Sequence, residues 1–191
     1  MGRIEPIPPD SLDDDQRAYW ESVVSGPRGP SLGPSPRSLG ALFDTWIRAP
    51  KAGQPAAQLG EQLRFFGTLD DLLREMVTLT VAAHWGAEFE FWAHAKAAKS
   101  AGLSDEIIEA LRKGTTPPLS DRDLLVYSVV GDLLQAKGMS DSVYDELHSL
   151  LGESALVELV MVVGYYSMVC ISMRAFAIGL PDDVEPFWPP R

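Results

Sequence analysis

The residues of this chain whose types and spacing can move a proton are two carboxylates and an imidazole. Leu72, Glu75, Leu79, Ala82 and Gly86 recur at three- and four-residue intervals, a helical period that puts Glu75 on an apolar face. Burial there disfavours the charged carboxylate unless a cation or hydrogen-bond donors compensate, and such tuning is how general acids and bases are made. The same position can equally be half of a buried ion pair with an arginine or lysine from another helix, and the residues alone leave both readings open. Further on, Glu90 and His94 stand four apart and so share a helix face with Ala87, Phe91 and Ala98. In that geometry the carboxylate can orient the imidazole and raise its basicity. Taken without context, the spacing fits a surface contact worth a few tenths of a kcal/mol.

Other chemistries find less support. Glu75, Glu88, Glu90 and His94 together offer three or four metal ligands, and His84 precedes Glu88 by four. The repeated Glu-x-x-His of carboxylate-bridged di-iron bundles is missing, however, and no second histidine stands near His94 at ligand spacing. We therefore expect no metal and no other cofactor. His148 reads as an ordinary exposed histidine. Gly-x-Ser-x-Gly and the Gly-rich turn ending in Gly-Lys-Ser or Gly-Lys-Thr are both absent, which weakens hydrolase and nucleotide-dependent readings. The one cysteine, Cys170, lies between Val169 and Ile171 in an apolar run, where a thiol acts as a small hydrophobe with a raised pKa.

The elements that must position these side chains are helical throughout. A first helix is expected after Pro8-Pro9, capped by Asp10 or Ser11 and ending near Gly26. The stretch from Gly26 to Pro36 holds four prolines and three glycines and reads as an extended loop. Helical patterning resumes over 38–49 until Pro50 stops it, and a short helix follows around 55–66. Residues 69–85 and 88–101 form the pair that carries Glu75, Glu90 and His94, with Gly86 between them and Gly102 closing the second. Ser104, Ser120 and Ser140 cap three more helices, the second of them running to about Lys137, and a long apolar helix finishes near 179–181. The class is all-α with about eight helices.

A chain of 191 residues with 46% apolar content can bury its own core, and a single cysteine excludes an intrachain disulfide. The sixteen basic residues are scattered within a net charge of −11, so nucleic acid is not an expected partner. The longest uncharged apolar run lies between Glu158 and Arg174, shorter than the roughly 20 residues that span a bilayer, and reads as a buried helix, not a membrane partner. No apolar stretch like a signal peptide opens the sequence, and a cytoplasmic location is expected.

The stretch from Leu73 to Val77, through Ala87 to His94, and on over Ala101 to Ile108 resembles the signature of the carboxymuconolactone decarboxylase and alkylhydroperoxidase D-like superfamily. Val157 to Val160 and Gly164 to Val169 resemble that superfamily's final core helix. The similarity implies a helical domain over 38–183, preceded by a helix and Pro/Gly-rich loop over 1–37 and followed by a tail over 184–191. The nineteen-residue separation of Glu75 and His94 matches the family's glutamate and histidine. In the alkylhydroperoxidase D branch two cysteines lie between those residues. The matching positions here are Ala87 and Glu90, so the disulfide cycle cannot run.

The decarboxylase branch is similar in needing no cysteine pair. The resemblance therefore implies a cofactor-independent lyase or isomerase that moves protons on a small carboxylate or lactone metabolite. His94 would be its acid/base, Glu75 a partner or second acid/base, and Glu90 an orienting or substrate-facing group. Glu88, Trp92, Tyr165 and Tyr166 are the candidate substrate-binding residues. A trimer or hexamer is implied as well, since Trp46, Phe65-Phe66 and the long apolar helix offer much hydrophobic surface. The alternative is a non-catalytic oligomeric small-molecule-binding protein, and a third reading, peroxidase activity, is disfavoured by the absent cysteine pair.

Overall fold

In the computed structural model, which describes residues 2–189, every regular element among the described residues is helical. Met1, Pro190 and Arg191 lie outside the described residues, and with them the ends of the expected 1–37 segment and 184–191 tail. The helices are α1 Asp14–Ser25, α2 Ala41–Trp46, α3 Pro50–Glu61, α4 Asp71–Trp85, α5 Glu88–Ser100, α6 Asp105–Lys113, α7 Asp121–Leu134, α8 Asp141–Leu151 and α9 Glu153–Ala175. They fall into two compact units, Met1–Phe66 with Ser172–Ile178, and Gly67–Ile171 with Gly179–Arg191.

In the first unit, α1 begins four residues later than Asp10. Pro9–Ser11 makes a 3-10 turn, and Asp13 caps α1 through a reciprocal box with Gln16. Tyr19 and Val23 on α1 pack with Leu39, Ile47 and Ala57 to form this unit's core. Pro50 does not terminate a helix. It opens α3 at the first position, where a missing N–H costs nothing, so the expected helix over 38–49 shrinks to α2 and the next one starts earlier than Pro55. Gly53 allows the two to meet, since a Cβ there would stand 2.5 Å from the Trp46 carbonyl oxygen.

The second unit is organised around α4, which packs against α5, α6 and α7. Residues 73–82 of α4 are all buried, as expected of a central helix covered on several sides. Asp70 caps it by accepting the Leu73 N–H at 2.9 Å, and Gly86 closes it in the left-handed conformation at φ 61°. The serine caps expected for α6, α7 and α8 are present at Ser104, Ser120 and Ser140. α7 ends at Leu134, short of the expected Lys137, because Ala136 already turns left-handed at φ 59°.

The last helix extends beyond its uncharged run at both ends. At 23 residues, α9 is long and apolar enough by length and composition to cross a membrane, and 56% of its most apolar window is buried inside the protein. Leu159, Val162, Tyr166, Val169 and Cys170 form its inner side. Val157, Val160, Met161, Met168 and Ile171 are exposed at three-, four- and seven-residue intervals along one stripe.

Candidate functional site

The loop that delivers the chain into α4 is pinned by Glu158 of α9. Its carboxylate accepts the N–H groups of Thr68 at 2.6 Å and Leu69 at 3.2 Å, and the Thr68 hydroxyl at 2.8 Å. From that fixed start, the helical period turns Glu75 toward α5, where the spacing of four brings Glu90 and His94 to one face.

These three side chains form one buried cluster. Glu75 is 2% exposed, His94 4% and Glu90 5%. The His94 Nδ1 stands 2.7 Å from Glu75 Oε2, and its Nε2 stands 3.1 Å from Glu90 Oε1. Glu75 Oε1 is in turn 3.3 Å from Nη2 of Arg74, whose Nη1 donates to Asp71 at 2.7 Å. The surface contact read from the Glu90–His94 spacing is thus a buried one. A cation facing Glu75 is Arg74, the neighbouring residue on its own helix. A cation beside a carboxylate on a buried stretch, with Asp71 three residues back, was the available signal for Arg74.

Between two ionised carboxylates the geometry favours a charged ring. A neutral imidazole has one N–H and one lone pair, so one nitrogen would face a carboxylate oxygen with nothing to donate, whereas an imidazolium donates to both. The charges agree: Arg74 and His94 contribute two positive charges against two negative ones from Glu75 and Glu90, and a neutral ring would leave a net buried anion. Burial is the largest single influence on His94 and works against its charged form. It is outweighed by the charge of Glu90 and the hydrogen bonds to Glu75 and Glu90, and the pKa rises from 6.5 to about 9. Arg74 likewise stays charged, since its hydrogen bond to Asp71 and the charge of Glu75 outweigh its burial. Its Nε is buried and has no hydrogen-bond partner among the described residues. Because Glu75 and Glu90 sit on opposite nitrogens of the ring, they and the imidazole do not converge on one point as metal ligands must.

Of the four expected substrate-contacting residues, two join this cluster. The Tyr166 ring presents itself to His94 with centroids 5.1 Å apart and planes at 81°, and Tyr165 packs against Tyr166 at 5.2 Å. Glu88 and Trp92 are each two residues from a cluster member, roughly 160° away around α5. The Glu88 carboxylate accepts the N–H groups of Phe187 at 2.9 Å and Trp188 at 3.1 Å. Trp92 is 37% exposed and packs on Phe89. Cys170 is fully buried, and burial followed by the charge of Glu90 pushes its thiol pKa up, away from the reactive thiolate.

Fold and cluster together define an all-helical protein with a buried glutamate–histidine centre. Residues 50–121, which include Glu75, Glu90 and His94, match the model of the carboxymuconolactone decarboxylase family. Over that segment the chain is similar to the carboxymuconolactone decarboxylase family, and no cysteine lies within it. No curated protein matches it by sequence. Among solved structures it is similar to an uncharacterized peroxidase-related protein from Silicibacter sp. TM1040, with a TM-score of 0.71 at 17% identity over 94% of this chain and 95% of that one. A protein of unknown function from Agrobacterium tumefaciens, for which the antioxidant defence protein AhpD has been suggested, gives a TM-score of 0.64 at 17% identity over 72% of this chain and 97% of that one. At this identity the likeness is one of fold.

Proposed function

We propose that the chain is a cofactor-independent lyase or isomerase whose chemistry is proton transfer at the Glu75–His94–Glu90 cluster, acting on a small carboxylate or lactone. The observation that carries this reading is one imidazole held between two carboxylates in a site closed to water. Loss of carbon dioxide from a carboxylated lactone leaves an electron pair on carbon that must receive a proton, and an imidazolium is a proton source. His94 would supply that proton, leaving as the neutral ring. Glu90, the carboxylate on Nε2, would move aside or relay it, and Glu75 with Arg74 would hold the ring in place and take part in reprotonation. A dry site favours both steps, since the charges act without competing solvent. Peroxidase chemistry draws no support here, because Cys170 is the one cysteine and its thiol is held protonated.

A second reading, a binding protein that kept the fold without turnover, is favoured by one feature: both nitrogens of His94 are already engaged within the protein. Glu75→Gln separates the two. The amide keeps the shape and can still accept from the ring, so under the catalytic reading the protein folds while carbon dioxide release from carboxymuconolactone and related carboxylated lactones falls by about 10²- to 10⁴-fold. A variant that folds and turns over at the wild-type rate, or a wild-type protein that binds such lactones without converting any, sinks the catalytic reading.

A further inference from the structure

The second unit holds a cavity of about 810 Å³, within the size range of small-molecule sites, on a different side of α4 from Glu75. Thr80 and His84 line it, and they lie roughly 140° and 180° around the helix from Glu75. The remaining walls come from the end of α6, from α7, and from the C-terminal segment at Phe187–Pro189.

That segment is fixed in place by more than chain continuity. Glu88 accepts two successive main-chain N–H groups from it. Arg112 Nη1 donates to the Phe187 carbonyl at 2.7 Å, the Trp188 indole N–H donates to the Arg112 carbonyl at 3.0 Å, and both rings pack edge-on against Phe91. The cavity wall is thus preorganised, so a ligand would not have to order it.

The wall chemistry selects the ligand. The charged side chains in the cavity's described lining are already paired: Arg112 and Lys113 with Glu109, and Asp132 with Lys137 at 3.0 Å, so none of them stands open to an ion. Three aromatic rings, Tyr127, Phe187 and Trp188, stand in the lining beside Leu111, Leu134 and Pro189. The hydroxyls of Tyr127 and Ser128 make no hydrogen bond to the described residues and are free to receive or donate one. We propose that this cavity is a second small-molecule site, separate from the Glu75–His94–Glu90 cluster, for an uncharged planar aromatic compound bearing a hydroxyl or carbonyl group. Glu88 then acts as a positioning residue that holds the Phe187–Trp188 wall.

Calorimetric titration of the full chain with 2-naphthol and with 2-naphthoate at pH 7 tests this. 2-Naphthol is expected to bind, and the carboxylate at least tenfold more weakly. Gly131 lines the cavity on α7, and a Cβ there meets nothing within 4 Å, so Gly131→Leu fills the space from a helical position that tolerates a side chain. It should weaken 2-naphthol at least tenfold without lowering the melting temperature. Trp188→Ala, which opens the wall, should weaken it as well, and Glu75→Gln should leave it unchanged. Absence of 2-naphthol binding to the wild type, preference for the carboxylate, or binding unaffected by both Gly131→Leu and Trp188→Ala would overturn the proposal.

Discussion

Glu88 and Glu90 leave α5 two residues apart, yet their carboxylates meet partners of different kinds. Glu90 is buried against an imidazole nitrogen, while the partly exposed Glu88 faces two main-chain N–H groups of a segment about a hundred residues further on. Peptide N–H groups do not titrate in the working range of a protein, so what Glu88 holds is chain. His94 does titrate, so what Glu75 and Glu90 hold is a proton. The same side-chain chemistry becomes anchor or proton site according to whether the group it faces can change charge, and the turn of the helix decides which group that is.

Removing a carboxylate from each side of this comparison should have unequal effects. Glu75→Ala leaves Arg74 and His94 buried with less counter-charge and should lower stability by about 3–5 kcal/mol, read by denaturant unfolding. A loss below about 1 kcal/mol would mean that the buried cluster is not held by charge.

The cluster should also make stability depend on pH. The folded pKa of His94 is raised to about 9 from 6.5, so its contribution is fully present below pH 6.5 and is lost as pH rises toward 9. A shift of that size corresponds to roughly 3 kcal/mol. Unfolding midpoints measured from pH 6 to 10 should fall through this window in the wild type. In His94→Gln the fall should be reduced, and an unchanged slope would assign the effect to other groups.

Glu88→Ala should have the smallest effect, about 1–2 kcal/mol for two lost hydrogen bonds at a partly exposed site, with no change in the pH window. Its signature is local: faster amide exchange at Phe187 and Trp188, with α4 protection unchanged. If the exchange of α4 amides rose as much, the anchor and the cluster would be one unit and the contrast would fail.

Much of this was legible in the residues, and the gaps have physical reasons. Serine caps, glycine stops and the 3.6-residue period located α4 through α8, because those signals are local. The Glu75–His94 partnership could be anticipated from the family resemblance at nineteen-residue spacing. The burial of Glu90 could not, since a separation of four fixes a shared face without saying what covers it. Pro50 read as a stop because proline breaks helices from within, but at the first position it starts one equally well. The hold of Glu88 on Phe187 and Trp188 joins residues so far apart that no periodicity carries it.

The central claim is that His94 is an imidazolium between two carboxylates at neutral pH. Nitrogen-15 NMR of the histidine rings, followed from pH 5 to 11 and assigned with His94→Gln, tests it directly. The account predicts both His94 nitrogens protonated at pH 7 and a midpoint near 9. A neutral tautomer at pH 7, with a midpoint at or below the ordinary 6.5, would contradict it.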